Sequence, residues 1–266
     1  RVRERSGRWR RSGAAPSAAS IMNGVWNARP VHQEHTVRAP LRPAPARLRD
    51  AYFAGVRRLT FGLIRGERWR LRLGPLTMLA FGEPTFDGTA WTWPITGGVL
   101  ARRPGGVLRY GWRGGELVAV VDGYLPRLPA PLYGTVQILA HRLVTRRFLL
   151  DLRGRLPPAG PAAGPAGRML AASLDLALCA GVTAALRPRR RLLSFVAMAA
   201  TYHVACWTLT GRTAGGLLTG QRVVSVDGSP VAPWQALLRL AALPLAARSL
   251  RPAHDETAAT EVVVEA

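Results

Sequence analysis

Ionisable residues inside apolar segments are the groups in this sequence that could do chemistry. Asp175 lies near the middle of the apolar run that begins at Arg168. A carboxylate at the centre of a membrane costs about 2.5–3.5 kcal/mol, so such a residue usually has a partner or a purpose. Two helical turns separate Asp175 from Arg168, which places both on one helix face and predicts an ion pair.

Two apolar segments of about twenty residues each can cross a hydrocarbon core of roughly 30 Å. They read GRMLAASLDLALCAGVTAAL and LLSFVAMAATYHVACWTLTG, and the basic loop RPRRR separates them. A third apolar segment, 234–250, is shorter and contains Arg239 and Pro244, so it spans the bilayer, lies at its interface or re-enters it. The sequence therefore predicts an α-helical transmembrane domain of two to three helices.

Several short motifs in this region resemble, in type and order, those of the RDD family of small membrane proteins. An arginine opens the first membrane helix and an aspartate lies inside it, here Arg168 and Asp175. A turn rich in glycine and threonine then leads into an RVV…DG segment, here TGRTAGG and GQRVVSVDG. The closing motif reads HDETAATEVV, which makes Asp255 the second aspartate. One difference is Gly216, which stands where the family usually has lysine.

The resemblance implies a membrane protein that takes part in the transport of an unknown ligand. On this interpretation an intramembrane polar cluster of Arg168, Asp175 and Asp255, joined by His203 or Arg239, binds or relays a cation. In the alternative, the charges form a structural ion pair, and the protein is a membrane-anchored scaffold whose basic soluble domain binds anionic lipid or another partner. A nucleic-acid-binding protein is a second alternative, which would explain the charge but not the apolar helices.

An α+β soluble domain is predicted ahead of the membrane segment, at residues 45–154. Residues 46–59 have the spacing of a short amphipathic helix. Short strands separated by glycine turns follow, among them RWRLRL (68–73) and LTMLAF (76–81), and a long helix at 132–153 closes the domain. This order predicts an antiparallel sheet packed against one long helix.

The long helix would contact the sheet through one apolar stripe. The stripe consists of residues at helical spacing, Leu132, Val136, Leu139, Leu143 and Leu150. His141 falls on the other side, where a solvated position is favoured over a role as a general base. The domain has no paired nucleophile and base and no metal-ligand spacing, and no helix with GK[ST] follows its glycine turns. We therefore expect no enzymatic activity and no cofactor.

The remaining segments are a basic tail, a linker and the RDD-like membrane domain at 168–264. Residues 1–44 are predicted to be disordered, because arginines crowd their start and Ala, Ser and Pro dilute any apolar pattern. Residues 155–167 are predicted to be a linker rich in proline and glycine. All 37 basic residues are arginine and the net charge is +22, so the expected partners are the bilayer and its anionic headgroups. A second copy or another membrane protein is a further candidate, and nucleic acid is disfavoured.

Two sequence signals disagree on the orientation in the membrane. The loop between the first two apolar segments carries Arg187, Arg189, Arg190 and Arg191, which by the positive-inside rule would be cytoplasmic and would place the soluble domain outside. However, nothing in the sequence resembles an export signal for a long basic domain. We therefore expect a multi-pass protein of the cell membrane whose amino-terminal domain is cytoplasmic.

Overall fold

In the computed structural model, the amino-terminal half of the chain forms a β-sheet with two helices. The carboxy-terminal half, which contains the long apolar segments, is mainly helical. The structure describes residues 30–60, 62–245 and 252–265. The predicted tail over residues 1–29 therefore lies outside the described part of the chain, as does the end of the third apolar segment.

The elements follow the chain in this order. The helices are α1 (Pro45–Leu59), α2 (Ile138–Arg153), α3 (Pro165–Leu186), α4 (Arg191–Leu209), α5 (Ala214–Leu218), α6 (Pro233–Ala241) and α7 (Ala253–Ala258). The strands are β1 (Val31–Arg38), β2 (Ile64–Glu67), β3 (Arg70–Leu73), β4 (Leu76–Phe81), β5 (Thr85–Phe86), β6 (Ala90–Gly97), β7 (Val107–Arg113), β8 (Glu116–Tyr124), β9 (Gln221–Ser225) and β10 (Thr260–Val264). A short helical turn, Ala130–Leu132, and a π-helical turn, Tyr133–Gln137, lead directly into α2.

An eight-stranded antiparallel sheet forms the amino-terminal domain, which confirms the predicted α+β class. The strand order is β1-β8-β7-β6-β4-β3-β2, and β5 pairs with β6. The β7–β8 hairpin turns through Gly114 and Gly115, whose positive φ values of 58° and 84° suit glycine. Helices α1 and α2 cover one face of the sheet, where aromatic rings such as Tyr52, Tyr110 and Phe148 fill the core.

The strand at the edge of this sheet corrects the predicted disordered tail. β1 lies within the segment 1–44 and pairs with β8 along its whole length. Its inward positions are Val31, Gln33, His35 and Val37, of which two are polar. The alternation is therefore too weak to be recognised from apolar residues alone, although Val37 is buried in the core.

The face that α2 presents to the sheet also differs from the prediction. Leu132, Leu139 and Leu143 of the predicted stripe are 52%, 55% and 36% exposed, and of the described stripe residues Leu150 is buried. The side chain of Val136 lies outside the described part. The buried face is built from Thr145, Phe148, Leu149, Leu150 and Leu152. Since Phe148 packs on the aromatic core, this second apolar face is the one that contacts the sheet.

His141 is directed towards the sheet, so its predicted solvated position is wrong. Its ring lies 5.6 Å from that of His35 on β1, and its nitrogens lie 3.5 Å from Thr145 Oγ1. Burial, reinforced by His35, lowers the pKa of His141 to about 4. The imidazole is consequently neutral in the folded domain at pH 7.

The predicted linker is packed against the carboxy-terminal strand. Ala159 N donates to Glu261 Oε2 at 2.9 Å, and Ala163 N donates to Val262 O at 2.9 Å. Pro165 then opens α3, a position where its missing N–H costs nothing. Arg146 on α2 also donates to Ser229 Oγ at 2.6 Å. The sheet domain and the carboxy-terminal region are therefore joined by direct contacts as well as by the chain.

α3 and α4 form a hairpin of helices long and apolar enough to cross a membrane. Their 22 and 19 residues extend about 33 and 28 Å. Most of their surface is exposed, with 22% and 6% of the two apolar windows buried, whereas the core helix of a soluble protein would be mostly buried. Exposed leucines on both helices would contact lipid.

The third apolar segment forms a short helix in its described part. α6 has nine residues and extends about 13 Å, less than half of what a span requires. It packs against α4 and α7 and buries Gln235, Ala236 and Arg239. Residues 246–251 lie outside the described part. Over its described length, 233–245, this segment is therefore not a spanning helix.

Candidate functional site

The inner face of α3 is lined by small and polar residues at four-residue intervals. They are Ala171, Asp175, Cys179 and Thr183, all buried, while the lipid-facing side of the helix is rich in leucine. Small residues allow a neighbouring backbone to approach closely. A Cβ added to Gly215 on α5 would lie 2.1 Å from Ala171 O, so glycine is required where α5 packs on α3.

Asp175 binds groups from two neighbouring elements through one of its oxygens. Its Oδ1 accepts a hydrogen bond from Tyr202 Oη at 2.8 Å and another from Gly215 N at 2.8 Å. Tyr202 Oη in turn accepts from Ala214 N at 2.6 Å. The residue is 3% exposed. Its Oδ2 faces His203 Nε2 at 3.8 Å, which is beyond hydrogen-bond distance.

The tautomer of His203 follows from its second contact. His203 Nδ1 lies 2.7 Å from Ala199 O, and a carbonyl oxygen can only accept, so Nδ1 carries a proton. In the neutral ring Nε2 is then an acceptor that faces Asp175 Oδ2, which is also an acceptor. A proton on Nε2, or a cation between the two atoms, would make this contact favourable.

Asp255 forms the second charged centre and is shared by two arginines. Arg168 and Arg239 both form ion pairs with its carboxylate, and Thr260 Oγ1 donates to its Oδ1 at 3.2 Å. Arg239 Nη1 also donates to Thr260 Oγ1 at 2.9 Å. The Asp255 side chain is 2% exposed. These contacts join α3, α6, α7 and β10 around one carboxylate.

The predicted pairing of Arg168 with Asp175 is therefore wrong. Their spacing places them on one face of α3, but Arg168 lies in the first turn of the helix, where α7 brings Asp255 within reach. Asp175 lies two turns deeper and is bound by residues of α4 and α5. The seven-residue spacing correctly predicts that Arg168 and Asp175 share a face of α3. It cannot predict that Arg168 pairs with Asp255, because Asp255 is distant in the sequence.

His254 joins the Asp255 centre and was missed by the sequence analysis. Arg168 Nη2 lies 3.3 Å from His254 Nε2 and donates to it, since an arginine N–H can only donate. The ring proton is then on Nδ1, which is buried and has no partner among the described residues. Burial, together with Arg239 and Arg168, lowers the pKa of His254 to about 4. The only signal for this residue was its place beside Asp255 in the HD motif.

Both charged centres open onto one cavity of about 360 Å³. Four of the predicted cluster residues line it: Arg168, Asp175, His203 and Arg239. The fifth, Asp255, lies behind the wall and holds the two arginines. The structure thus brings the predicted residues together around a shared space, while their role in binding remains a prediction. Two further residues were not predicted. Tyr202 donates a hydrogen bond to Asp175, and the ring of Trp207 stacks against the Arg239 guanidinium.

Gly216 is the position at which the sequence differs from the motif it resembles. A Cβ there would lie 2.9 Å from Gln221 O and 3.2 Å from Thr213 Oγ1. The turn is therefore packed too closely for any side chain without a shift of the backbone. A lysine contact with an anion at this position is excluded in the present arrangement.

Comparison with known proteins identifies the carboxy-terminal region. The model of the RDD family matches residues 190–252, from the start of α4 to beyond α6. No curated protein and no solved structure matches the chain. The matched segment contains the second apolar helix, the TGRTAGG turn and the GQRVVSVDG segment, whereas Arg168, Asp175 and the HDETAATEVV motif lie outside it. The chain therefore carries an RDD family membrane domain.

Proposed function

We propose that this protein is a multi-pass membrane protein whose RDD family domain binds a cationic group and takes part in the transport of the molecule that carries it. The observation that carries the proposal is the incomplete hydrogen bonding of the buried Asp175 carboxylate. This carboxylate lies midway along α3, in the wall of the cavity, with both described hydrogen bonds on Oδ1. Its Oδ2 faces His203 Nε2 across 3.8 Å, and because Nδ1 carries the proton in the neutral tautomer, Nε2 of that tautomer is an acceptor.

The energetics of burial support a cation at this position. A charged carboxylate in the membrane interior costs about 2.5–3.5 kcal/mol even on the gentler scales. The two hydrogen bonds to Asp175 Oδ1 offset part of this cost. A bound cation would supply the counter-charge at Oδ2. A site whose contacts are complete only when a cation is bound suits transport, because the ligand then stabilises one conformation over another.

The Asp255 centre has a different role in this proposal. Its carboxylate is bound by two guanidinium groups and a hydroxyl, and it joins four elements of the domain. Breaking a buried pair of this kind by removing one partner costs about 3–5 kcal/mol. Asp255 therefore holds the domain together, and Asp175 meets the ligand. No covalent chemistry is part of this role.

The asparagine variant of Asp175 tests the proposal. Asp175→Asn keeps an oxygen that can accept from Tyr202 and Gly215, so the protein should accumulate in the membrane at about the normal level. In proteoliposomes its uptake of sodium and methylammonium should fall at least about tenfold. Cys179→Ser, one turn away on the same face, is the matched control and should keep both activities. Equal uptake by Asp175→Asn and the wild type would refute the proposal.

A scaffold role is the second candidate, and a specific contact favours it. Arg146 and Arg147 on α2 bind Ser229 and the carbonyl of Thr257, which ties the sheet domain to the membrane domain. A domain held in this way could present its arginine-rich surface to anionic headgroups. If no cation probe is taken up, yet the sheet domain binds vesicles with anionic lipid in a salt-sensitive way, the scaffold is the correct function.

The proposed orientation places the sheet domain in the cytoplasm. α3 and α4 are antiparallel, so the RPRRR loop lies at the end of the hairpin away from Arg168 and the sheet domain. Single cysteines at the exposed positions Thr85 and Arg189 should therefore be labelled from opposite sides of the membrane. Labelling of Thr85→Cys from outside would show that the orientation is the reverse of the one proposed. It would not bear on the proposed cation site.

A further inference from the structure

The cavity in the membrane domain has two ends of opposite charge preference. Asp175 and His203 lie at one end, and Arg168, Arg239 and His254 lie at the other. Arg168 and Asp175 are seven residues apart on α3, which corresponds to about 10 Å along the helix axis. Since one cavity contains both ends, a single small molecule can reach both.

The positive end has more donors than Asp255 can use. Two guanidinium groups share that one carboxylate, which leaves an excess positive charge. Arg239 Nε is buried and has no partner among the described residues, and the same holds for His254 Nδ1, which carries the ring proton. The Arg239 side chain is 5% exposed, so water does not readily compensate it. Unpaired buried donors beside an excess of positive charge indicate an acceptor that carries negative charge.

The negative end is suited to a group that donates hydrogen bonds. Asp175 Oδ2 and His203 Nε2 are both acceptors, 3.8 Å apart. A primary ammonium placed between them can donate to each, whereas a quaternary ammonium has no N–H to donate. The ring of Trp207 does not compete for this role, because the Arg239 guanidinium lies over it at 4.9 Å.

We propose that the cavity binds a small zwitterion, with its primary ammonium between Asp175 and His203 and its carboxylate or phosphate at Arg168, Arg239 and His254. Apolar side chains such as Leu176, Val223 and Val262 also line the cavity and can contact a short carbon chain. A volume of about 360 Å³ admits a molecule of the size of an amino acid or of phosphoethanolamine. The ammonium contact rests on the proposed function, and the anion contact is additional to it.

Binding of matched ligands to the full-length protein in nanodiscs tests the inference. β-Alanine carries both charged groups, propylamine lacks the carboxylate and propionate lacks the ammonium. A zwitterion that engages both ends should bind at least about tenfold more tightly than either half, which is the gain of one further charged contact. Phosphoethanolamine should compete with β-alanine. Equal affinity for β-alanine and propylamine would overturn the zwitterion and leave the cation site standing.

Two variants separate the ends of the cavity. His254→Ala removes the unpaired donor but leaves the Arg168–Asp255 and Arg239–Asp255 pairs, so it should lower the affinity for β-alanine much more than the affinity for propylamine. Asp175→Asn should lose propylamine and keep weak binding of propionate. If neither variant changes the binding of any of these ligands, both the zwitterion site and the proposed cation site are wrong.

The bilayer composition distinguishes a free solute from a lipid headgroup as the source of the zwitterion. In nanodiscs of phosphatidylglycerol alone, free β-alanine should bind. If phosphatidylethanolamine in the nanodisc lowers its apparent affinity in the wild type and not in His254→Ala, the headgroup occupies the site. If the affinity is the same in both lipids, the ligand is a free solute. Both results require that β-alanine binds. If β-alanine binds in neither kind of nanodisc, the inference is contradicted.

Discussion

Single residues in the membrane domain differ in whether their contacts are complete. Asp255 has two arginines and a hydroxyl around it, whereas Asp175 has hydrogen bonds on one oxygen and an acceptor opposite the other. Removing one partner of a fully paired buried charge is strongly destabilising, whereas a buried charge with incomplete contacts requires an explanation, which here is the proposed cation. We therefore propose different roles for Asp175 and Asp255.

The role of Asp255 predicts a specific pattern of rescue. Asp255→Ala leaves Arg168 and Arg239 without a counter-charge and should cost about 3–5 kcal/mol, which would be measured as lost accumulation and a lower unfolding temperature. Replacing Arg168 and Arg239 together by glutamine in the same protein should restore much of the loss. Replacing one arginine should restore less. Normal accumulation of Asp255→Ala would contradict a structural role.

His141 predicts how acid affects the sheet domain. Its pKa is lowered to about 4 in the fold and returns to its usual value near 6.5 when the chain unfolds. The unfolded state therefore binds more protons between these values, and stability should fall as the pH drops from about 6.5 towards 4. His141→Gln should make the unfolding temperature less sensitive to pH in this window. A slope unchanged from the wild type would show that His141 is not responsible.

At the scale of elements, the contact between α3 and α5 depends on one glycine. Gly215→Ala would place a methyl group 2.1 Å from Ala171 O, so α5 must move and the bond from Gly215 N to Asp175 is lost. We expect reduced accumulation and reduced methylammonium uptake. Gly181→Ala, on α3, has nothing within 4 Å of the added methyl and should behave as the wild type. A loss of the same size in both variants would point to α3 itself.

The sequence predicts elements well where one local signal dominates. The helix at 46–59, the strand at 76–81 and both long apolar helices lie within a few residues of α1, β4, α3 and α4. The inward side of β1 carries Gln33 and His35, so its alternation could not be seen. α2 has two apolar faces, and only the aromatic core decides which of them is buried.

The candidate site was predictable as a set of residues and not as a set of contacts. The motif order brought Arg168, Asp175 and Asp255 together with His203 and Arg239, and four of these line one cavity. Which arginine meets which carboxylate depends on how α7 docks against α3, a contact between residues far apart in sequence. Tyr202 and Thr260 carry no charge, so no sequence signal singled them out.

For the whole molecule, the sheet domain needs its first strand. β1 pairs with β8 over its full length and contributes Val37 to the core. A fragment of residues 30–154 should therefore give the circular dichroism of a folded sheet and unfold cooperatively in urea. A fragment of residues 45–154, without β1, should be unfolded in the same buffer. Val37→Asp in the longer fragment tests the same contact at constant length, since it buries a charge without a partner.

The reactivity of Asp175 towards a carbodiimide tests most directly whether this carboxylate is the group that receives a cation. Dicyclohexylcarbodiimide enters membranes and modifies carboxyl groups that it can reach there, and mass spectrometry of the labelled protein identifies the peptide that carries the modification. Asp175 should be labelled and Asp255 should not, because Asp255 is held by two arginines. Methylammonium should slow the labelling of Asp175 in a concentration-dependent way, and choline, which has no N–H, should not. Labelling that neither cation affects, or that falls on Asp255 instead, would contradict a cation site at Asp175.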